Sequence, residues 1–230
     1  MNISIPYVKR RNSLIFPSKY ISLSRMMMVL VGVLLVSLFF LPIWKIVLVA
    51  PQYPEPLGLD IHIDHLSDGV QFYDVKNIDL LNHYIGMAPL PTEENVADGK
   101  IEPLLEFVIF PIVLLVMIFL ALVVALFGKA RLYLIWFSIM VVLCLIGLYD
   151  FYQWLYIYGH DLDLNAILKI TDPVTGKPMG YQPPFIGYKK ILNFEVSSFP
   201  SIGTFNIALA MVISFLAYII DAFPEKLNLK

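Results

Sequence analysis

Apolar residues in this chain gather into four long runs, and the polar ones are confined to the stretches between them. The runs are Met26 to Ala50, Leu104 to Phe127, Leu132 to Tyr149 with an aromatic extension to Leu155, and Ile202 to Phe223. Each is long enough to cross a hydrocarbon core of about 30 Å, which takes about 20 helical residues. Lipid offers the backbone no hydrogen-bond partner, so spans are helices or closed barrels, and long unbroken runs are not the alternating segments of a barrel. The pattern predicts transmembrane helices over 26–50, 104–127, 132–155 and 202–223. The remaining segments are 1–25, 51–103, 128–131, 156–201 and 224–230. The first run follows the basic "VKRR" and ends in "VLVA", features shared with a secretory signal. A signal core runs only about 7 to 15 residues, so this run is read as a retained anchor.

The segments between the runs carry other periods. "PQYPEPLG" has three prolines and reads as an extended connector. "LDIHIDHL" alternates apolar with polar, a period of two that predicts a half-buried strand with His62 and His65 on opposite faces, and "GVQFYDV" is its candidate hairpin partner. "NIDLLNHYIGM" has helical spacing, with Asn77 as N-cap and Gly86 as stop. "LPTEENVADGK" reads as a polar loop. From Tyr149 to Tyr158 six aromatics fall in ten residues, the density of a headgroup-level aromatic belt. "DPVTGKPMGYQPPFIGYKK" reads as an ordered loop. The expected fold is an all-α membrane protein of four transmembrane helices with a small mixed α/β cap.

Composition agrees: 59% of the residues are hydrophobic and 15% charged, against a quarter charged in an ordinary soluble domain. Charge adds an orientation. Lys9, Arg10, Arg11, Lys19 and Arg25 precede the first run, Lys129 and Arg131 lie between the second and third, and Lys226 and Lys230 follow the last. Basic loops stay in the cytoplasm, so the chain is expected to be N-in/C-in. Segments 51–103 and 156–201 then face outward, and the first has ten carboxylates from Glu55 to Glu102 against Lys76 and Lys100.

Several chemistries are excluded. The runs hold no His for membrane haem and no buried Lys for a Schiff base. Phosphate-loop, dinucleotide, zinc-protease and nucleic-acid motifs are absent, so neither nucleotide nor nucleic acid is expected. No nucleophile with a neighbouring base can be named, which leans against an enzyme. Cys144 is the single cysteine, lies in the third run and reads as a packing residue. Lys45 and Asp221 read as snorkelling charges near the interfaces. Glu106 and Asp150 lie about a turn inside the outer boundary of adjacent antiparallel helices, where an unpaired carboxylate is costly. They are either helix-end groups bonded to loop amides or Lys45, or part of a cation site beneath the cap.

All four histidines fall outside the runs. His83 and Met87 are four apart and share a face if their segment is helical, a donor pair suited to copper, with Met179 and Tyr181 as further neighbours. The same spacing serves hydrophobic packing equally well.

The strings "APQYPEPLGL", "LLNHYIGM", "DFYQWLYIYGHDLD" and "YQPPFIGYKKILNF" resemble an uncharacterised family of small four-span inner-membrane proteins. That family is associated with nitrous oxide reductase maturation gene clusters of Bacteroidota. His83, Met87, Glu106, Asp150, His160 and Asp163 match its pattern, while His62, His65, the N-terminus up to Arg25 and "TEENVADGK" do not. The resemblance implies a multi-pass protein of the bacterial inner membrane serving a periplasmic copper enzyme. Copper would be held on the outer face by His83, Met87 and His160, with Asp161 or Asp163 orienting an imidazole. The alternative is a metal-free scaffold or small subunit of a membrane complex, with Tyr181, Pro183, Pro184 and Tyr188 of the Pro-rich loop as docking residues.

Overall fold

A computed structural model describes residues 18–163, 165–168, 171, 176, 180–191 and 193–223. Among the described residues three helices are long and apolar enough to cross a membrane: α4 (Glu106–Phe127), α5 (Ala130–His160) and α6 (Ile202–Ala222). They fall on the second, third and fourth apolar runs. A further helix, α1 (Ser18–Val36), continues into a short 3-10 turn at Ser37–Phe39, and its apolar stretch Leu23–Phe39 is shorter than the other three. α1 packs on α4 and α6, and α5 packs on the same two, which closes a four-helix ring. Met28, Val31, Leu35, Leu114, Met117, Ala121, Trp136 and Ala210 fill its centre. Lipid-like exposure on the outside, as at Met26, Val33, Phe119 and Leu145, is what a bundle in hydrocarbon presents.

The first run does not stay helical to Ala50. Pro42 has no N–H and disfavours helix at the residue before it, and "WKIVLV" then forms β1 (Trp44–Val49), with Trp44 and Ile46 buried and Lys45 and Val47 less so. An unbroken apolar run does not distinguish a helix from a strand buried on both sides. The exit from the helix is pinned: Ser201 N–H donates to the Ile43 carbonyl and Gly203 N–H to that of Pro42. Any Cβ on Gly203 would press on the Pro42 oxygen at 2.7 Å.

β1 lies at the centre of a five-stranded antiparallel sheet in the order β3-β2-β1-β5-β4, with β2 Leu57–Ile61, β3 Leu66–Asp68, β4 Gly187–Ile191 and β5 Phe194–Pro200. β1 emerges from α1 and β5 leads straight into α6, so the two central strands are extensions of bundle helices. Lys45 is thus a sheet residue: its ammonium donates to the Gly69 carbonyl at 2.7 Å and lies 3.4 Å from Asp60, neither snorkelling nor bonded to Glu106 or Asp150.

At 1.5 Å per residue the 31 residues of α5 run about 46 Å, longer than a bilayer core. Its last turns cross the sheet. Phe151, Trp154, Leu155 and Tyr158, at helical spacing, pack into a second core with Trp44, Ile46, Leu57, Leu59, Ile61 and Val196. Half of the expected aromatic belt is therefore cap core; Tyr149, Tyr152 and Tyr156 on the opposite side remain exposed. α2 (Asp74–Ile85) covers the same core through Ile78, and α3 (Glu93–Ala97) forms where a polar loop was expected, with Thr92 capping Asn95 N–H.

Candidate functional site

The three sequence-predicted copper residues have different surroundings: Met87 packs in the cap core, while His83 and His160 are exposed. α2 ends at Ile85, and Gly86 takes a left-handed conformation (φ 82°), which turns Met87 off the helix and removes the shared face expected with His83. Met87 N–H closes the turn on the Asn82 carbonyl. Its side chain packs into the cap core and lines a small cavity with Leu81, Tyr158 and Tyr181, while His83 is exposed beside Tyr84. His160, also exposed, stacks on Tyr156 at 4.2 Å and donates its Nδ1–H to the Tyr156 carbonyl, so that N–H is not the one given to Asp161 or Asp163. The Asp163 carboxylate instead accepts the Asn165 N–H. Met179 lies outside the described residues. Among the described residues no three His, Cys, Asp or Glu side chains gather as a metal set.

The strings do meet, through their backbones. Asp163 N–H donates to the Gly86 carbonyl at 2.8 Å, Leu168 N–H to that of Tyr84, and Tyr181 N–H to that of Gly159. Tyr158 donates its phenol proton to the Ala88 carbonyl. Gly159 touches Gln182 so closely that no side chain fits between them. Tyr181, expected to dock a partner, is 3% exposed inside the cap, where burial pushes its phenol pKa up. Pro183 lines the cap cavity and Pro184 is half-buried; of the four docking residues only Tyr188, 84% exposed against Phe199, faces outward.

Two other features carry chemistry. The first is the loop after β3. "GVQFYDV" is not the hairpin partner of β2; residues 66–68 are, and the loop that follows is clamped by two carboxylates. Asp74, fully buried, accepts the N–H groups of Gly58, Val70 and Gln71 on one oxygen at 2.7–2.9 Å. Asp68 accepts those of Tyr73 and Val75. The clamps hold Tyr73 at φ 70°, the one non-glycine in the left-handed region among the described residues. Such strain persists where the surroundings over-determine it. The loop lifts Val70, Phe72 (90% exposed) and Tyr73 into solvent.

The second is a cavity of about 280 Å³ between α4 and α5 under the sheet. Glu106 and Asp150 both line it, as does His62. The two carboxylates are near enough to act on each other electrostatically. His62 and His65 are not on opposite strand faces: they flank the tight β2–β3 turn, His62 N–H bonded to the His65 carbonyl, with their rings stacked at 4.3 Å. His62 Nε2 pairs with Ser67 at 3.0 Å, and its Nδ1 is buried without a hydrogen-bond partner. Burial first, and the His65 charge second, lower the His62 pKa from its usual 6.5, against the pull of Asp60 and Asp64.

Compared with models of known protein families, with curated proteins and with solved structures, the chain matches none.

Proposed function

We propose that this protein is a membrane-anchored accessory subunit whose cap docks a protein partner, with α1 serving as a fourth span and the sheet facing outward. The strained, doubly clamped loop at Val70–Tyr73 carries this reading. Stiff, exposed aromatics lose little entropy on binding and are the residue type that dominates interface energetics. Burying Phe72 would contribute on the order of 2 kcal/mol, and Tyr73, whose left-handed turn starts α2, presents its ring on the same exposed loop. Rigid fusion of the cap to the bundle supports the reading, because a partner gripping the loop is thereby held at a fixed height over the membrane. The test is copurification from native membranes: Phe72→Ser and Tyr73→Ser are expected to release a stoichiometric partner while the melting temperature changes little. Retention of that partner by both variants contradicts the proposal.

A copper-handling role is a second reading. It draws on the string resemblance and on the Gly86–Asp163 bond that makes the His83 and His160 segments neighbours, and it omits Met87 as a ligand. A Cu(I) titration in which His83→Ala/His160→Ala matches wild type would end it.

A further inference from the structure

We propose that the cavity between α4 and α5 binds one chain-bearing amphiphile, its tail between the helices and a cationic, hydrogen-bond-donating head beside Glu106 and Asp150. The two helices are joined at the far end by the Gly128 turn and tied midway, where Trp136 Nε1 donates to the Met117 carbonyl at 3.1 Å. Above that tie they leave a void that ends at Glu106, eleven residues or about 16 Å along α4 from Met117. Pro111 lies in this stretch and deprives the Phe107 carbonyl, on the cavity wall, of its helical donor.

The wall of the void is thin at Gly147 and Leu148, both of which line it. A Cβ at Gly147 would meet nothing within 4 Å, and Leu148 is 42% exposed. Both flanking helices are long and apolar enough to lie in a membrane, so this wall faces hydrocarbon, where acyl chains are the available filling. An apolar void of this size holds water poorly, and its lining atoms forgo dispersion contacts until something apolar enters. The volume stands just under the range of about 300–1,000 Å³ usual for small-molecule pockets, which suits a single chain.

A tail moving from bilayer to cavity exchanges one hydrocarbon setting for another, so selectivity comes from the head. The sheet end offers the two carboxylates as acceptors, and beside them the buried, unpaired Nδ1 of His62, which accepts when Nε2 carries the ring proton. Lys45 of β1 is already engaged by Asp60 and the Gly69 carbonyl. Two like charges on a low-dielectric wall repel, and a positive group between them relieves it. Among the described residues His62, Glu106 and Asp150 do not gather as a metal set; an ammonium, which brings a positive charge and three hydrogen-bond donors, suits two carboxylates on one wall.

The experiment uses the full chain in amphipol at neutral pH, with fluorescent N-phenylnaphthylamine as the bound probe. Dodecylamine is expected to displace it at a concentration at least tenfold below that of dodecanoic acid. In Glu106→Gln/Asp150→Asn that preference disappears while the probe still binds, and Gly147→Phe, which sets a ring in the thin wall, removes probe binding with the fold intact by circular dichroism. Equal displacement by amine and acid, or a preference surviving in the double variant, overturns the head-group assignment. A folded wild-type protein that binds no probe overturns the site.

Discussion

At the residue scale, two side chains are held in conditions they would not choose alone. Tyr73 pays for its left-handed backbone, a cost of about 1–2 kcal/mol for a residue with a Cβ, and glycine pays none. Tyr73→Gly is therefore expected to offset its own loss of chain stiffness and leave the melting temperature level or slightly raised, while partner retention falls; a marked loss of stability in thermal denaturation would show that the strain assignment is wrong. His62 is held with a depressed pKa by burial and by His65, against Asp60 and Asp64, with Ser67 on Nε2 and Glu106 and Asp150 on the same cavity wall. The unfolded chain takes up this proton more readily than the folded one, so stability rises with pH across the window. The contribution is complete above about pH 6.5 and is lost as pH falls through the lower folded value. Thermal scans are expected to show a lower melting temperature at pH 5 than at pH 7, a difference that shrinks in His62→Gln.

At the element scale, the stops and turns are as informative as the helices they end. Gly86 combines φ 82° with an Asp163 oxygen 2.8 Å from where a Cβ would stand. Gly86→Ala is expected to cost at least about 1–2 kcal/mol and to loosen the Asp163–Asn165 turn, read as faster amide exchange at Asp163 and Leu168. This stop was legible in the sequence, and so were α4, α5 and α6, because long apolar runs and a helix-ending glycine are local signals. β1 was not legible: "IWKIVLV" is apolar enough for a span, and only its pairing with β2 and β5 makes it a strand. Phe151, Trp154, Leu155 and Tyr158 carried a readable helical stripe that the density of aromatics obscured. The Asp68 and Asp74 clamps span three to seven residues, apart from the Gly58 bond across sixteen, and polar residues in a loop do not announce which N–H groups they will bind. The cavity is likewise a product of how α4 and α5 diverge, although Glu106 and Asp150 stood out from sequence as carboxylates needing a reason.

At the scale of the whole molecule, a membrane bundle and a sheet share two continuous chain segments, β1 from α1 and β5 into α6, and α5 binds both cores. The orientation implied by Lys129 and Arg131 at the far turn is open to labelling in a Cys144→Ser background: with the membrane sealed, an impermeant maleimide added from the non-cytoplasmic side is expected to react with a cysteine at Asp64, and with one at Lys129 only after permeabilisation. The docking reading is tested most directly by a photo-crosslinking residue at Phe72 in native membranes, beside the same residue at exposed Tyr156. The account predicts one discrete adduct from position 72 that vanishes with Tyr73→Ser and is absent from position 156. The same adducts from both positions, or none from position 72, would contradict it.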